Sequence, residues 1–562
     1  MPTVEAPSAE RLDPIEHLKR ASLALRGRLP SAVDLERVSA DPDVLPEIVD
    51  VYLESEDFGT IIRDMHAELF LTRADIEEQL PLLGPMVDYT TEQIHEATSE
   101  EALRLVEHVV THDRPYSEIL TADYAMTNHT LSVIYGLEYD DGGPEWQVTE
   151  YTDGRPHAGV LTSTEIFRRH ESAGSNFHRG RANFFADAFL CEPFDKREIV
   201  VDGGIDLSDD EAVANAVQLN ENCVGCHQAM DPIAVLFFGF KQQLRRDTVN
   251  HGYIEDCRWN ESEGGIPEFE EYSVSDLCYP LRMYTAGNES DWVDLGLRPP
   301  GYFGQPVSDI PELGRMMADD PRFAQCASKR FYSWFTQMGH EDVPLEVAAG
   351  LHEQFVASGY DAKALARAVV LSEGFSALHS GAEGAAPLQL VRPAAYANII
   401  EDLTGFHWMA EPSPQCGDDD VCWTEVDLAR SDLMGYRSMA GGLDYLQIVR
   451  PTHSSTPVRI LVQQRHSTEA AGFVVDADFD IVYRSDRRLL TKVDERDVGE
   501  AAVRDQIVVL YAKILAMDVP ADHLEIDETY GLWLQAYQLS DSRDAWKAVV
   551  SLMLQDPRLT HY

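Results

Sequence analysis

Residues 221–232 read ENCVGCHQAMDP, which places Cys223 and Cys226 two residues apart with His227 directly after the second. Thiols at this spacing can reach both vinyl groups along one porphyrin edge, and an imidazole on the next residue can rise beneath the iron as its axial ligand. Cys-x-x-Cys-His therefore predicts one covalent haem c, attached through Cys223 and Cys226 and ligated by His227. Other uses of paired thiols fit less well. A zinc knuckle needs a second pair of ligands at close spacing, and the next candidates, His251 and Cys257, stand singly. A thioredoxin-like redox pair needs a strand running into the motif, whereas ANAVQLNEN before it reads as helix into turn.

The chemistry of such a haem depends on the far side of its iron. A Met or His there makes an electron carrier, and an open site permits peroxide or oxygen chemistry. Met230 follows His227 by three residues and so falls on the same side of the ring if the helix continues. The far-side candidates are Met126, His129, His178 and Met283, while Arg179 is a candidate partner for a haem propionate. Nothing else in the chain forms a recognisable catalytic constellation: G-x-S-x-G, the P-loop, H-E-x-x-H and the dinucleotide fingerprint are all missing. The acidic run Asp418, Asp419 and Asp420 lacks the spacing of a calcium loop and reads as a solvated turn.

The elements that must position the motif read as helix and loop. After it, DPIAVLFFGF begins its apolar run behind Pro232, so the attachment helix is expected to end or turn there and to deliver Leu236, Phe237 and Phe238 against the macrocycle edge. Residues 15–30 repeat their apolar positions at helical spacing up to Pro30, and Ser31 caps another amphipathic turn. Strands are expected only at 197–203, 458–464 and 480–485. The predicted fold is mainly α: a helical protein of several units with long loops and few short strands. Its expected divisions are an N-terminal helical region (1–110), a haem attachment domain (111–255), a Cys-flanked loop plus helical domain completing the haem half (256–380), and a mainly helical C-terminal domain with a few strands (381–562). The Gly- and Ala-rich stretch 378–390 is the best linker between them. Two segments, 311–335 and 545–562, each place a helix before an Asp-Pro-Arg-apolar stop.

Six cysteines remain outside the motif. Cys416 and Cys422 flank a short polar loop that a disulfide can close, Cys257 and Cys278 bracket an acidic insertion, and Cys191 with Cys326 are then left as a long-range pair.

Composition excludes several roles. The chain has 562 residues and is 44 % hydrophobic, enough to fold unaided into more than one packed unit. Its net charge of −52 repels nucleic acid and anionic membrane surfaces, and spread along the chain it matches either a protein kept soluble in a saline medium or simply an acidic extracytoplasmic protein. No stretch approaches the roughly 18 apolar residues of a membrane span. The first twenty residues show no basic segment followed by an apolar one, although haem c requires export; the expectation is a start further upstream or a chain already trimmed.

CVGCHQAMDPIAVLFFGF resembles the haem-bearing segment of the planctomycete-type cytochrome proteins, whose domains of unknown function occur in large secreted bacterial cytochromes. Four further segments resemble recurrent blocks of those proteins in the same order: 114–137, 159–191, 301–337 and 390–406. The chain departs from the family at Ala234 and at FFGFKQQ, where the family carries a Gly and further acids, so no role of those acids transfers. The resemblance implies covalent haem c, a periplasmic or cell-surface location and a redox role, without implying a substrate. Three functions follow as expectations. The first is an exported monohaem cytochrome passing single electrons to a redox partner protein that is basic or salt-screened; the second is a haem enzyme with an open distal site; the third is a surface or assembly protein with a structural haem.

Overall fold

The computed structural model describes residues 11–74, 84–86, 88–172, 176–196, 209–242, 279–377, 389–410, 426–431 and 435–562. It is mainly α, with 60 % helix and 4 % strand, as the apolar periodicity predicts. Among the described residues the strands form three short antiparallel pairs: Ala125–Thr127 with Gln147–Thr149, Gly301–Tyr302 with Gln305–Pro306, and Met409–Ala410 with Val426–Asp427.

The predicted strands at 458–464 and 480–485 do not form. The first lies within the helix Pro457–Asp480, and the second covers the end of that helix and a 3-10 turn at Arg484–Asp486. Val458, Ile460 and Val462 suggest a strand, but Thr456 caps the helix by accepting from Arg459 N–H, and Pro457 presets its first turn; the local start signal prevails. Residues 197–203 lie outside the described residues. The first predicted helix is also shorter than expected: Pro14–Arg26 closes at Gly27, whose left-handed φ of 61° ends it before Pro30.

Asp-Pro steps start helices as well as stopping them. Helix Ile310–Ala318 ends just before Asp320, and Pro321 opens the helix Pro321–Thr336; Ser542–Leu554 is followed in the same way by Pro557–Thr560. In both, the Asp carboxylate accepts the N–H two residues on, Arg322 at 2.9 Å and Arg558 at 2.8 Å, while the same arginine folds its guanidinium back onto it.

The chain divides into two compact units, one comprising Met1–Ile61, Phe335–Met338 and Val370–Tyr562, the other Ile62–Trp334 and Gly339–Val369. In the first, helices Pro393–Thr404, Pro457–Asp480, Glu500–Leu515, Leu524–Leu539 and Ser542–Leu554 enclose a core that includes the fully buried Trp533 and Trp546. Asp478 is buried there and accepts the backbone N–H groups of Arg488, Leu489 and Leu490, each at 2.8 Å, which fixes the turn after the long helix.

The second unit carries the motif. Its 21-residue helix Thr91–Thr111 begins with a reciprocal cap between Thr90 and Gln93. Buried Glu101 on this helix accepts from Ser163 Oγ at 2.7 Å and from Glu165 N–H at 2.9 Å, holding the start of helix Thr164–Arg169. Three of the sequence blocks meet at Ile119 and Leu120. Val160 N–H donates to Ile119 O at 2.9 Å, a Cβ at Gly159 would lie 2.0 Å from that oxygen, and a Cβ at Gly314 would lie 2.2 Å from Leu120 O. Glycine alone permits both approaches, so these residues weld segments far apart in sequence.

The predicted long-range pair Cys191 and Cys326 forms a disulfide, joining the end of helix Arg179–Leu190 to helix Pro321–Thr336. Cys257, Cys278, Cys416 and Cys422, and with them the proposed loop closure at 416–422, lie outside the described residues.

Candidate functional site

The motif sits on the helix Glu221–Ala234, which follows helix Asp210–Leu219 after a break at Asn220. Asn220 caps it, accepting from Asn222 N–H at 3.0 Å, so the helix-into-turn reading of the preceding residues matches. Cys223, Cys226, His227 and Met230 stand at i, i+3, i+4 and i+7 and therefore share one face; all four are half-buried. Both thiols are free, and Cys226 Sγ approaches Phe194 O at 3.7 Å.

Pro232 does not end this helix. The chain continues to Ala234 and tightens into a 3-10 turn at Val235–Phe237. The missing N–H leaves the carbonyl of Gln228 without its helical bond, and Gln228 is solvent-exposed, so water can take that place. Pro232 instead faces the backbone of Gly301, where a Cβ would lie 3.4 Å from the ring. Because the helix continues, Met230 stays on the side of His227.

His227 Nδ1 donates to Asp231 Oδ1 at 2.8 Å, one turn along the same helix. Among the described residues nothing bonds its Nε2. Asp231 is 3 % exposed and also accepts from Arg179 Nε at 2.8 Å and from Arg298 Nη1 at 3.2 Å. Burial alone pushes this carboxyl up, but the hydrogen bonds from His227 and Arg179 outweigh it and hold it below the ordinary carboxylate value. Arg298 donates in addition to Val217 O at 3.2 Å, so one carboxylate ties together the motif helix, the helix before it and the start of helix Arg179–Leu190. Arg179, considered as a propionate partner, is thus engaged with Asp231.

The aromatic run after the motif divides. Phe237 is fully buried, with ring centroids 5.4 Å from both Phe167 and Phe185, and belongs to the core. Phe238 lies beside His178 at 5.3 Å, and Leu236 is half-buried.

The four far-side candidates lie in separate stretches of the chain, each in its own setting. Met126 is buried on the strand Ala125–Thr127, and Met283 is buried with its carbonyl accepting from Lys241 N–H. His129 is exposed at the start of helix His129–Tyr135, where its Nδ1 meets Tyr89 OH. His178 is buried, and its Nδ1 accepts from Arg181; the neutral ring then holds its proton on Nε2 and offers no lone pair there.

Sequence reasoning missed Asp231 and Arg298. The signal for the first is present, since His and Asp at i, i+4 on a helix meet, but Pro232 directly after Asp231 marks a helix stop in sequence and masks it. For Arg298 there was no local signal.

Two family models match parts of this chain. Residues 13–137 match a family described as protein of unknown function (DUF1592), and residues 303–375 match one described as protein of unknown function (DUF1585). The first match contains the block at 114–137 and the second most of the block at 301–337, while Cys223, Cys226 and His227 lie between them. No curated protein and no solved structure matches. Among the described residues no cluster of three or more His, Cys, Asp or Glu is placed to hold a metal ion, an arrangement that a haem iron does not require. No described helix is long and apolar enough to cross a membrane.

Proposed function

We propose that this chain is an exported monohaem c-type cytochrome that passes single electrons to a redox partner. The observation that carries the reading is the face of helix Glu221–Ala234, where two free thiols stand one turn apart beside an imidazole whose Nδ1 is engaged and whose Nε2 has no partner among the described residues. This donor set fits haem c: Cys223 and Cys226 would hold it through thioethers, each S–H adding across a vinyl group, and His227 Nε2 would ligate its iron. Haem c supplies one-electron redox chemistry when bound. The chain's part is to hold the macrocycle at two points, to orient the imidazole through Asp231 and to keep that helix fixed through Arg179 and Arg298.

Two further observations support the reading. The matched families of unknown function are found in planctomycete-type cytochrome c proteins, the group that the motif segment itself resembles. The Cys191–Cys326 disulfide fits an oxidising compartment, where haem c is attached. The test is expression with a cytochrome c maturation system followed by intact mass. The wild-type chain is expected to gain one haem, and Cys223→Ala with Cys226→Ala to gain none; a wild-type chain without the added mass of a haem, or a variant that gains it as well, would overturn the proposal.

A further inference from the structure

Asp231 is a buried carboxylate bonded to a half-buried imidazole and to two guanidinium groups, and this arrangement asks what the carboxylate does for His227. Its Oδ1 is shared between His227 Nδ1 and Arg179 Nε, both at 2.8 Å, while Oδ2 takes Arg298 at 3.2 Å and a second bond from Arg179 at 3.3 Å. Resting on the reading of His227 as the haem ligand, we propose that Asp231 is a positioning residue that fixes the His227 tautomer and, balanced by Arg179 and Arg298, sets how strongly that imidazole donates to iron.

The physical argument is direct. A neutral imidazole has one proton, and a carboxylate acceptor at Nδ1 holds it there, leaving the lone pair on Nε2 for a metal. A carboxylate at the far nitrogen also raises the basicity of a ligating histidine, which favours the oxidised metal and lowers the reduction potential. The two guanidinium groups oppose this by drawing the carboxylate's charge toward themselves. The helix fixes the geometry, because residues four apart stand one above the other on one face. Arg298 bonds the carboxylate but makes no bond to His227, so it adjusts the pair without being part of it.

A purely structural role for Asp231, as a tie between segments, predicts altered stability and an unaltered iron. The test uses the matured full-length protein with the variants Asp231→Asn and Arg298→Gln, reading the midpoint potential and the exchange of the His227 Nδ1 proton by NMR. Asp231→Asn is expected to raise the potential, increasing the reduced-to-oxidised ratio about tenfold at a fixed applied potential, which is about 59 mV for one electron. Arg298→Gln is expected to lower it, and the wild-type Nδ1 proton to exchange far more slowly than that of a free imidazole. If Asp231→Asn does not mature, Arg298→Gln and the wild-type proton decide. Attached haem with unshifted potentials, or a freely exchanging Nδ1 proton, overturns this proposal and leaves the haem reading standing. A wild-type chain that gains no haem overturns the haem reading itself, and this proposal with it.

Discussion

Arg181 Nη1 donates to Nδ1 of His178 at 2.7 Å, with both residues only 1 % exposed. The remaining donors of Arg181 reach the carbonyls of His170, Phe167, Lys241 and Gln242. No carboxylate is among these partners, and burial lowers the Arg181 pKa to about 9. The guanidinium is therefore a buried hub for carbonyl groups. Arg181→Met should orphan several of them at once and destabilise the protein by roughly 3–5 kcal/mol, measured by urea unfolding. A loss below about 1 kcal/mol would show that the carbonyls find other donors.

Buried histidines predict loss of stability in mild acid. His66 Nδ1 donates to Ile62 O and its Nε2 accepts from Tyr116 OH, each at 2.7 Å, and burial lowers its pKa to about 4. His170, stacked on Phe184, is lowered by burial to about 3. The unfolded chain protonates such histidines near pH 6.5, where the folded chain keeps them neutral. Their stabilisation is therefore complete above that pH and is lost as pH falls toward the folded values, at about 1.4 kcal/mol per pH unit for each histidine. Urea midpoints should fall between about pH 6.5 and pH 5, above the range in which ordinary carboxylates protonate. Midpoints that stay level across that window would contradict this assignment.

The Cys191–Cys326 disulfide closes a long loop, its cysteines being 135 residues apart. Restricting an unfolded chain over that separation stabilises the fold by about 4–5 kcal/mol in the loop-entropy model. Replacing both cysteines by Ala should lower the urea midpoint correspondingly while leaving any attached haem in place. A variant that keeps its stability would show that the unfolded chain is already restricted.

The parts of the fold legible in sequence were those with local causes. Helical spacing and caps such as Ser31 and Thr90 act over a few residues, so the helical class could be read directly. The strand pairs are two or three residues long, too short to show a period, and the run at 458–464 misled because β-branched residues also sit on exposed helix faces. The site divides in the same way. Cys223, Cys226 and His227 are contiguous and announce themselves, whereas Arg298 reaches Asp231 across 67 residues, and only the folded chain brings the two together.

The central claim is tested most directly by the absorption spectrum of the reduced full-length chain, matured with a cytochrome c export system and treated with acidified organic solvent to remove unbound haem. The account predicts that one haem per chain stays with the protein and shows the α band of a haem joined through two thioethers. Haem that extracts into the solvent, or a matured chain with no visible absorption, would contradict it.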